Sequence, residues 1–270
     1  MSASATKPIP LEKLVSFCDE LLQVQGIKDY CPNGLQVQGR KEVSSIISGV
    51  TACKELIMRA QQGNADVLLV HHGYFWKGED ARVIGMKYER LKLLLDSGIN
   101  LLAYHLPLDI HRELGNNAYL GTMLGIDTTK DAVEILLPQD KLGFVAELNE
   151  PLSGAQLKQL LHEKLGREPL HIDGHIDRHI DGQADRPIKR IAWCSGAAQD
   201  FIEQAKEHNA DCYISGEVSE RTFHFARENA IDYYAIGHHC SETGGVKLLG
   251  ERIAAEFGIS HKFIDIPNPV

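Results

Sequence analysis

The octapeptide Asp66-Val67-Leu68-Leu69-Val70-His71-His72-Gly73 holds four consecutive apolar residues, then two imidazoles and a glycine. An apolar run without polar alternation reads as a strand buried on both faces, as in a parallel sheet covered by helices. The histidines stand where that strand gives way to a turn. Upstream, an amphipathic helix over 11–24 places Leu11, Leu14, Val15, Cys18, Leu21 and Leu22 at helical spacing. A short strand at 35–37 follows the Asn33-Gly34 turn, then strand 45–50 and helix 53–62. Downstream come helix 87–96, strand 99–104 and helix 113–124, with strand 144–148 and helix 154–165 in a middle section. Alternation resumes with strand 190–194, helix 199–208, strand 212–215, helix 220–228, strand 232–236, helix 246–257 and strand 262–266. Repeated strand–helix units specify an α/β fold of mostly parallel mixed sheets with helices on their faces.

The order of elements occurs twice. A gapless shift of 145 lays residues 44–72 on 189–217, matching Ile46, Ala52, Ile57, Ala60, Asn64, Ala65 and Asp66 to Ile191, Ala197, Ile202, Ala205, Asn209, Ala210 and Asp211. In each half a third strand then ends in histidine with a carboxylate four residues on, His105…Asp109 and His238…Glu242. These features describe an internal duplication into two similar α/β/α units, 1–126 and 127–270, the second carrying a variable loop near 171–186.

At 270 residues, 43% hydrophobic and 24% charged, the composition is that of a globular protein. A formal net charge of −9 speaks against binding duplex nucleic acid through basic groups. No apolar run reaches the ~20 residues of a membrane span, and the N-terminus lacks the apolar core of a secretion signal, so a cytoplasmic location is expected. The six cysteines form no CxxC pair, which excludes a zinc ribbon or a redox dithiol. Only Cys240, between His238 and Glu242, is placed to neighbour a metal.

His71-His72, His105, Glu217 and His238-His239 all stand just past strand ends, where parallel α/β sheets gather their ligands. Imidazoles and carboxylates delivered from several strands suit a mixed nitrogen/oxygen metal site. Adjacent strand residues point to opposite faces, but at a strand end His71 and His72 can reach two ions side by side. Asp109 or Glu242 could bridge them. Read singly, each cluster is also explained as polar loop residues or helix caps. Pro107 makes 105–109 a turn, and Glu242 falls near the N-terminus of the last helix. The tandem His171, His175 and His179 lie among glycines and aspartates and read as a polar connection. Tyr74, Trp76 and Lys77 could bind substrate by stacking and phosphate contact, or pack at a subunit contact. No GxxxxGK[ST], GxSxG or GxGxxG motif supports ATPase, serine hydrolase or dehydrogenase chemistry.

The runs 69–76, Tyr104-His105-Leu106-Pro107-Leu108-Asp109 and Gly237-His238-His239-Cys240-Ser241-Glu242 together resemble the NIF-three-like family, whose members are often labelled GTP cyclohydrolase I type 2 homologues. Cys31-Pro32-Asn33-Gly34-Leu35-Gln36-Val37, Ile214-Ser215-Gly216-Glu217 and Phe263-Ile264-Asp265-Ile266-Pro267 extend the resemblance over nearly the whole chain. It implies two intertwined, duplicated units, a dinuclear centre and a ring-shaped homohexamer. Matched motif by motif, it implies His71, His72, Asp109, His238 and Glu242 as ligands, with His105 and Glu217 as inner-pocket groups and proton-shuttle candidates. The expectation is a cytoplasmic protein holding two divalent cations (Zn, Fe or Mn) and hydrolysing a nucleotide-type small molecule with a metal-activated water. A non-catalytic metal-binding adaptor or regulatory protein is the alternative, told apart by closed coordination spheres.

Overall fold

The computed structural model of the chain describes residues 7–130, 132–175 and 186–270. Its strands are β1 (Ile9–Pro10), β2 (Gly34–Val37), β3 (Glu42–Val43), β4 (Ser45–Thr51), β5 (Val67–His72), β6 (Asn100–Ala103), β7 (Glu134–Leu137), β8 (Leu142–Leu152), β9 (Leu170–Ile172), β10 (Ile188–Cys194), β11 (Cys212–Ser215), β12 (Asp232–Ala235) and β13 (Ser260–Phe263). They belong to two compact units, but the units are not the consecutive halves 1–126 and 127–270. The first ends at Leu108 and takes in Gly245–Pro267, and the second comprises Asp109–Gly244 with Asn268–Val270. The physical reason is that β13 pairs in parallel with β4, so the chain's last strand completes the first sheet.

The first unit's sheet has the order β13-β4-β5-β6-β2, parallel except for β2. Because side chains alternate across a strand, Ile46, Val67, Leu69 and Leu102 face one way. They bury Leu11, Leu14 and Cys18 of helix Leu11–Leu21 together with Val246, Leu249 and Ile253 of helix Thr243–Phe257. Ile47, Leu68, Val70 and Leu101 face the other way, against Leu56, Ile57 and Ala60 of helix Lys54–Gln62 and Leu91 and Leu94 of helix Gly85–Ser97. Each fully buried leucine or isoleucine contributes about 1.5–3 kcal/mol relative to exposure.

The second unit's sheet has the order β7-β8-β10-β11-β12-β9, with β10, β11 and β12 parallel and the outer pairings antiparallel. Phe144, Ile191, Trp193 and Ile214 pack on helices Asn116–Met123 and Gly154–Leu165. Val145, Ala192, Tyr213 and Tyr233 pack on Ile202, Ala205 and Ala226 of helices Ile202–Glu207 and Glu220–Glu228. β7 and β9 were not expected from the sequence: β9 spans only three residues, and the apolar run Ile135-Leu136-Leu137 of β7 was not read as a strand. Leu170–Ile172 turns the start of the histidine repeat into an edge strand, with the His171 ring stacked on Tyr234 at 4.3 Å. His179 lies outside the described residues.

The duplication extends to backbone detail. Asp66 Oδ2 accepts the N–H groups of Ser44 and Ser45 at 2.9 and 3.1 Å, and Asp211 Oδ2 accepts those of Lys189 and Arg190 at 3.0 and 2.9 Å. Asn64 and Asn209, also 145 apart, both adopt a left-handed backbone, at φ 50 and 57; asparagine tolerates this better than most residues. Among the described residues no helix is long and apolar enough to cross a membrane.

Candidate metal centre

In the first unit, β5 runs through both histidines before the chain turns. The turn requires Gly73. A Cβ there would stand 2.1 Å from Gln36 Oε1 and 2.7 Å from Ala103 Cβ, and the Gln36 amide is occupied in accepting Tyr74 N–H and donating to the Pro32 and Tyr74 carbonyls. His71 is fully buried, with Nδ1 2.9 Å from the Tyr104 carbonyl oxygen. A carbonyl only accepts, so Nδ1 carries the proton and Nε2 the lone pair. His72 Nδ1 meets Thr51 Oγ1 at 3.3 Å. The two rings do not diverge as residues in mid-strand would: their centroids are 4.6 Å apart and their planes inclined by 44°.

His105, just past β6, joins them with ring centroids 5.1 Å from His71 and 5.8 Å from His72. One donor nitrogen from each of the three lies within 4.8 Å of the others. Cys31 stands close to Asp29 and His105, but burial, with the Asp29 charge, pushes its thiol up to about 12. It is therefore a neutral thiol near pH 7 in the metal-free protein. Trp76 packs edge-on against His105, centroids 4.9 Å apart. The other two proposed substrate residues differ from it. Tyr74 is buried with its hydroxyl donating to the Ala52 carbonyl at 2.6 Å, a packing position and not a binding one. Lys77 is exposed, and its backbone N–H donates to the Tyr30 carbonyl. Phe75, between them in the same aromatic run, is exposed in a left-handed backbone at φ 65 with Lys87 Nζ 5.4 Å from its ring centroid.

In the second unit, Asp109 belongs to a one-turn helix, Leu106–Ile110, where a turn was expected. Pro107 is compatible because the first helical turn needs no N–H from it. Asp109 Oδ1 accepts Asn116 Nδ2–H at 2.8 Å and Ser195 Oγ–H at 3.1 Å. Asn117 braces the arrangement, donating to the Asp109 carbonyl at 3.1 Å and accepting Ser195 N–H at 2.8 Å. Gly196, beyond β10 at φ 69, donates its N–H to Ser241 Oγ, and a Cβ there would stand 2.5 Å from Glu242 Oε1. Asn116, Ser195, Gly196 and Ser241 were missed in the sequence. The repeat could have found the Ser195-Gly196 turn, because the shift of 145 brings the end of β4 onto it.

Glu242 is buried, with Oε2 3.2 Å from His238 Nε2, while Glu217 Oε1 accepts from His238 Nδ1 at 2.7 Å. Cys240 donates its thiol to the Leu165 carbonyl at 3.8 Å. The hydrogen bond to Glu242 is the main cause that raises His238 from 6.5 to about 9; burial opposes it and Glu217 adds to it. A raised folded-state value stabilises the metal-free protein fully below pH 6.5, and the contribution is lost as pH climbs through about 9. The urea midpoint of metal-free protein is therefore expected to fall between pH 6.5 and 9, and His238→Gln to flatten that slope. An unchanged slope in the variant would refute the assignment.

Asp109 and Glu242 each place a carboxylate oxygen within 4.8 Å of the other, and both are buried. Two like charges at that separation repel by on the order of 3 kcal/mol at an effective dielectric near 20. The His238 proton offsets part of this, and a divalent cation would offset all of it. Imidazoles held at Nδ1 by a carbonyl or a carboxylate, as in His71 and His238, are the usual state of metal-ligating histidines. The donor set therefore fits a metal.

Residues 9–269 match the family model Duf34/NIF3 (NGG1p interacting factor 3). A Pseudomonas aeruginosa protein named "GTP cyclohydrolase 1 type 2 homolog" is 49% identical over 261 residues, covering 97% of this chain and 99% of its own. An Escherichia coli protein of the same name is 44% identical over 263 residues, with 97% and 99% covered. Among solved structures, one described as "protein ybgI, unknown function" superposes with TM-score 0.87 at 41% identity, covering 97% of this chain and all of its own. TTHA1606 from Thermus thermophilus gives 0.81 at 30%, with the same coverage. With the model spanning nearly every residue and relatives this similar along their whole length, the chain belongs to the Duf34/NIF3 family.

Proposed function

We propose that the protein is a divalent-metal-dependent hydrolase of a nucleotide-type small molecule, with His71, His72, Asp109, His238 and Glu242 as ligands to two cations. The observation that carries this reading is the buried Asp109–Glu242 pair with His238 beside it, a concentration of negative charge that calls for a cation. Mixed imidazole and carboxylate donors suit Zn²⁺, Fe²⁺ or Mn²⁺. Bound there, such a cation supplies Lewis acidity and makes water a nucleophile near neutral pH.

The chain's own residues do the rest. Tyr104 and Glu217 orient the His71 and His238 rings through Nδ1. That contact makes Glu217 an orienting group, and leaves His105 as the better candidate to handle protons. Trp76 offers an aromatic edge beside His105 for a planar substrate, with Lys77 on the same loop. The name carried by the P. aeruginosa and E. coli relatives supports the nucleotide class. Association of copies into a hexamer is part of the proposal, supported by exposed Val83, Ile84 and Met86 leading into helix Gly85–Ser97.

The test is turnover by protein reconstituted separately with zinc, manganese and ferrous iron, on panels of nucleotides, phosphodiesters and cyclic amides. Metal-dependent release of product from a nucleotide is expected, with Asp109→Asn inactive. Inertness toward every purine and pyrimidine compound would remove the substrate class. A wild-type chain that takes up none of the three metals would remove the function.

A further inference from the structure

Asp29 and Asn33 precede the first sheet and carry no strand-end signature, yet they hold His105 by side chain and backbone together. Asp29 Oδ1 accepts the His105 Nδ1–H at 2.7 Å and the Tyr30 N–H at 2.6 Å. Its Oδ2 accepts the Leu106 N–H at 2.9 Å and Asn33 Nδ2–H at 2.8 Å. Asn33 Oδ1 in turn accepts the His105 backbone N–H at 2.7 Å. Both carboxylate oxygens therefore face donors only, and the Asp29 side chain is 3% exposed. Burial opposes its ionisation, but the hydrogen bonds from His105, Asn33 and Tyr30 outweigh burial and hold the carboxyl below its usual range.

The consequence falls on the far side of the imidazole. A ring whose Nδ1–H is given to a carboxylate carries its lone pair on Nε2. The ring stands against those of His71 and His72, with Trp76 edge-on to it, so its swing is restricted.

We propose that Asp29 is a positioning residue that locks His105 as the Nδ1–H tautomer and so presents Nε2, beside His71 and His72, as hydrogen-bond acceptor for an N–H or O–H of the molecule bound there. The acceptor role rests on the hydrolase reading; the tautomer does not. Asparagine at position 29 keeps the shape but must turn an NH₂ toward one of these two pairs of donors, and only the pair that includes His105 holds a group able to become an acceptor. The arrangement of lowest cost sets that NH₂ against His105 Nδ1, which then accepts, and the proton moves to Nε2. Wrong-tautomer substitutions of this kind leave geometry intact while removing the acceptor.

The test uses metal-free full-length protein labelled with ¹⁵N at histidine, with His105 assigned by comparison with His105→Gln. Expected is an Nδ1–H imidazole in the wild type and an Nε2–H imidazole in Asp29→Asn. An Nε2–H wild type, or an unaltered tautomer in folded Asp29→Asn, overturns the proposal. The wild-type spectrum decides by itself if that variant does not fold. A zinc titration completes the test. His105→Gln is expected to keep the wild-type zinc stoichiometry, since an acceptor is not a ligand, and loss of zinc from it overturns the acceptor role. A wild type that takes up none of zinc, manganese and ferrous iron removes the hydrolase reading and the acceptor role with it, while the tautomer is judged on the spectrum alone.

Discussion

Trp193→Ala is expected to lower the unfolding free energy by about 3–5 kcal/mol, the range for a large aromatic removed from a core. Trp193 is fully buried in β10, its ring 5.7 Å from that of Phe144, and its Nε1–H donates to the Asn117 carbonyl at 2.8 Å. The substitution therefore opens a cavity and leaves a carbonyl in helix Asn116–Met123 without that donor. Asn117 also braces Asp109 and Ser195, so the damage reaches the candidate centre through one shared residue. Against a total of about 5–15 kcal/mol for a typical domain, the loss is severe. Trp193→Phe keeps most of the volume and should cost about 1–3 kcal/mol, chiefly through the lost hydrogen bond to the Asn117 carbonyl. Urea unfolding followed by far-ultraviolet circular dichroism measures both. Equal losses for the two variants would show that the hydrogen bond, and not ring volume, dominates.

Glu242→Ala is expected to have the largest effect on metal. The side chain is 3% exposed, sits against His238, and is given room by the absence of a Cβ at Gly196. Its removal relieves the repulsion with Asp109 and takes away the partner that contributes most to the raised value of His238. The metal-free variant should therefore remain folded and show a shallower stability slope between pH 6.5 and 9, since Glu217 still acts on His238. Zinc affinity should fall by at least about 100-fold, beyond the 10–100-fold typical of a residue that only orients a ligand. Competition with a chromophoric chelator reads this directly. A folded variant with wild-type zinc affinity would exclude Glu242 from the ligand set, and a loss confined to about tenfold would make it an orienting residue.

The parts of this protein that were legible from its sequence share one property: their signals are local. The apolar runs at 67–70 and 212–214 announce buried parallel strands because a strand covered on both faces must be apolar throughout. Helix Gly154–Leu165 follows a Ser153 and Gln156 capping box, and helix Glu220–Glu228 lies where its periodicity placed it. The histidines and carboxylates of the centre could be named because each histidine follows a strand and each carboxylate stands four residues beyond a histidine. Pro107 misled the reading of 105–109, because a proline that breaks a helix interior is admissible in a single first turn.

By itself, then, the sequence determined the α/β class, the doubled order of elements and the chemical types gathered at strand ends. Only the tertiary structure decided that the last strand completes the first sheet, that Tyr74 is core while Trp76 meets His105, and which neighbours fix each site group. Asp29 lies 76 residues from His105 and Ser195 lies 86 from Asp109. No periodicity or spacing links such partners, because a hydrogen bond depends on distances of about 3 Å in space. Those distances exist only once the chain has folded.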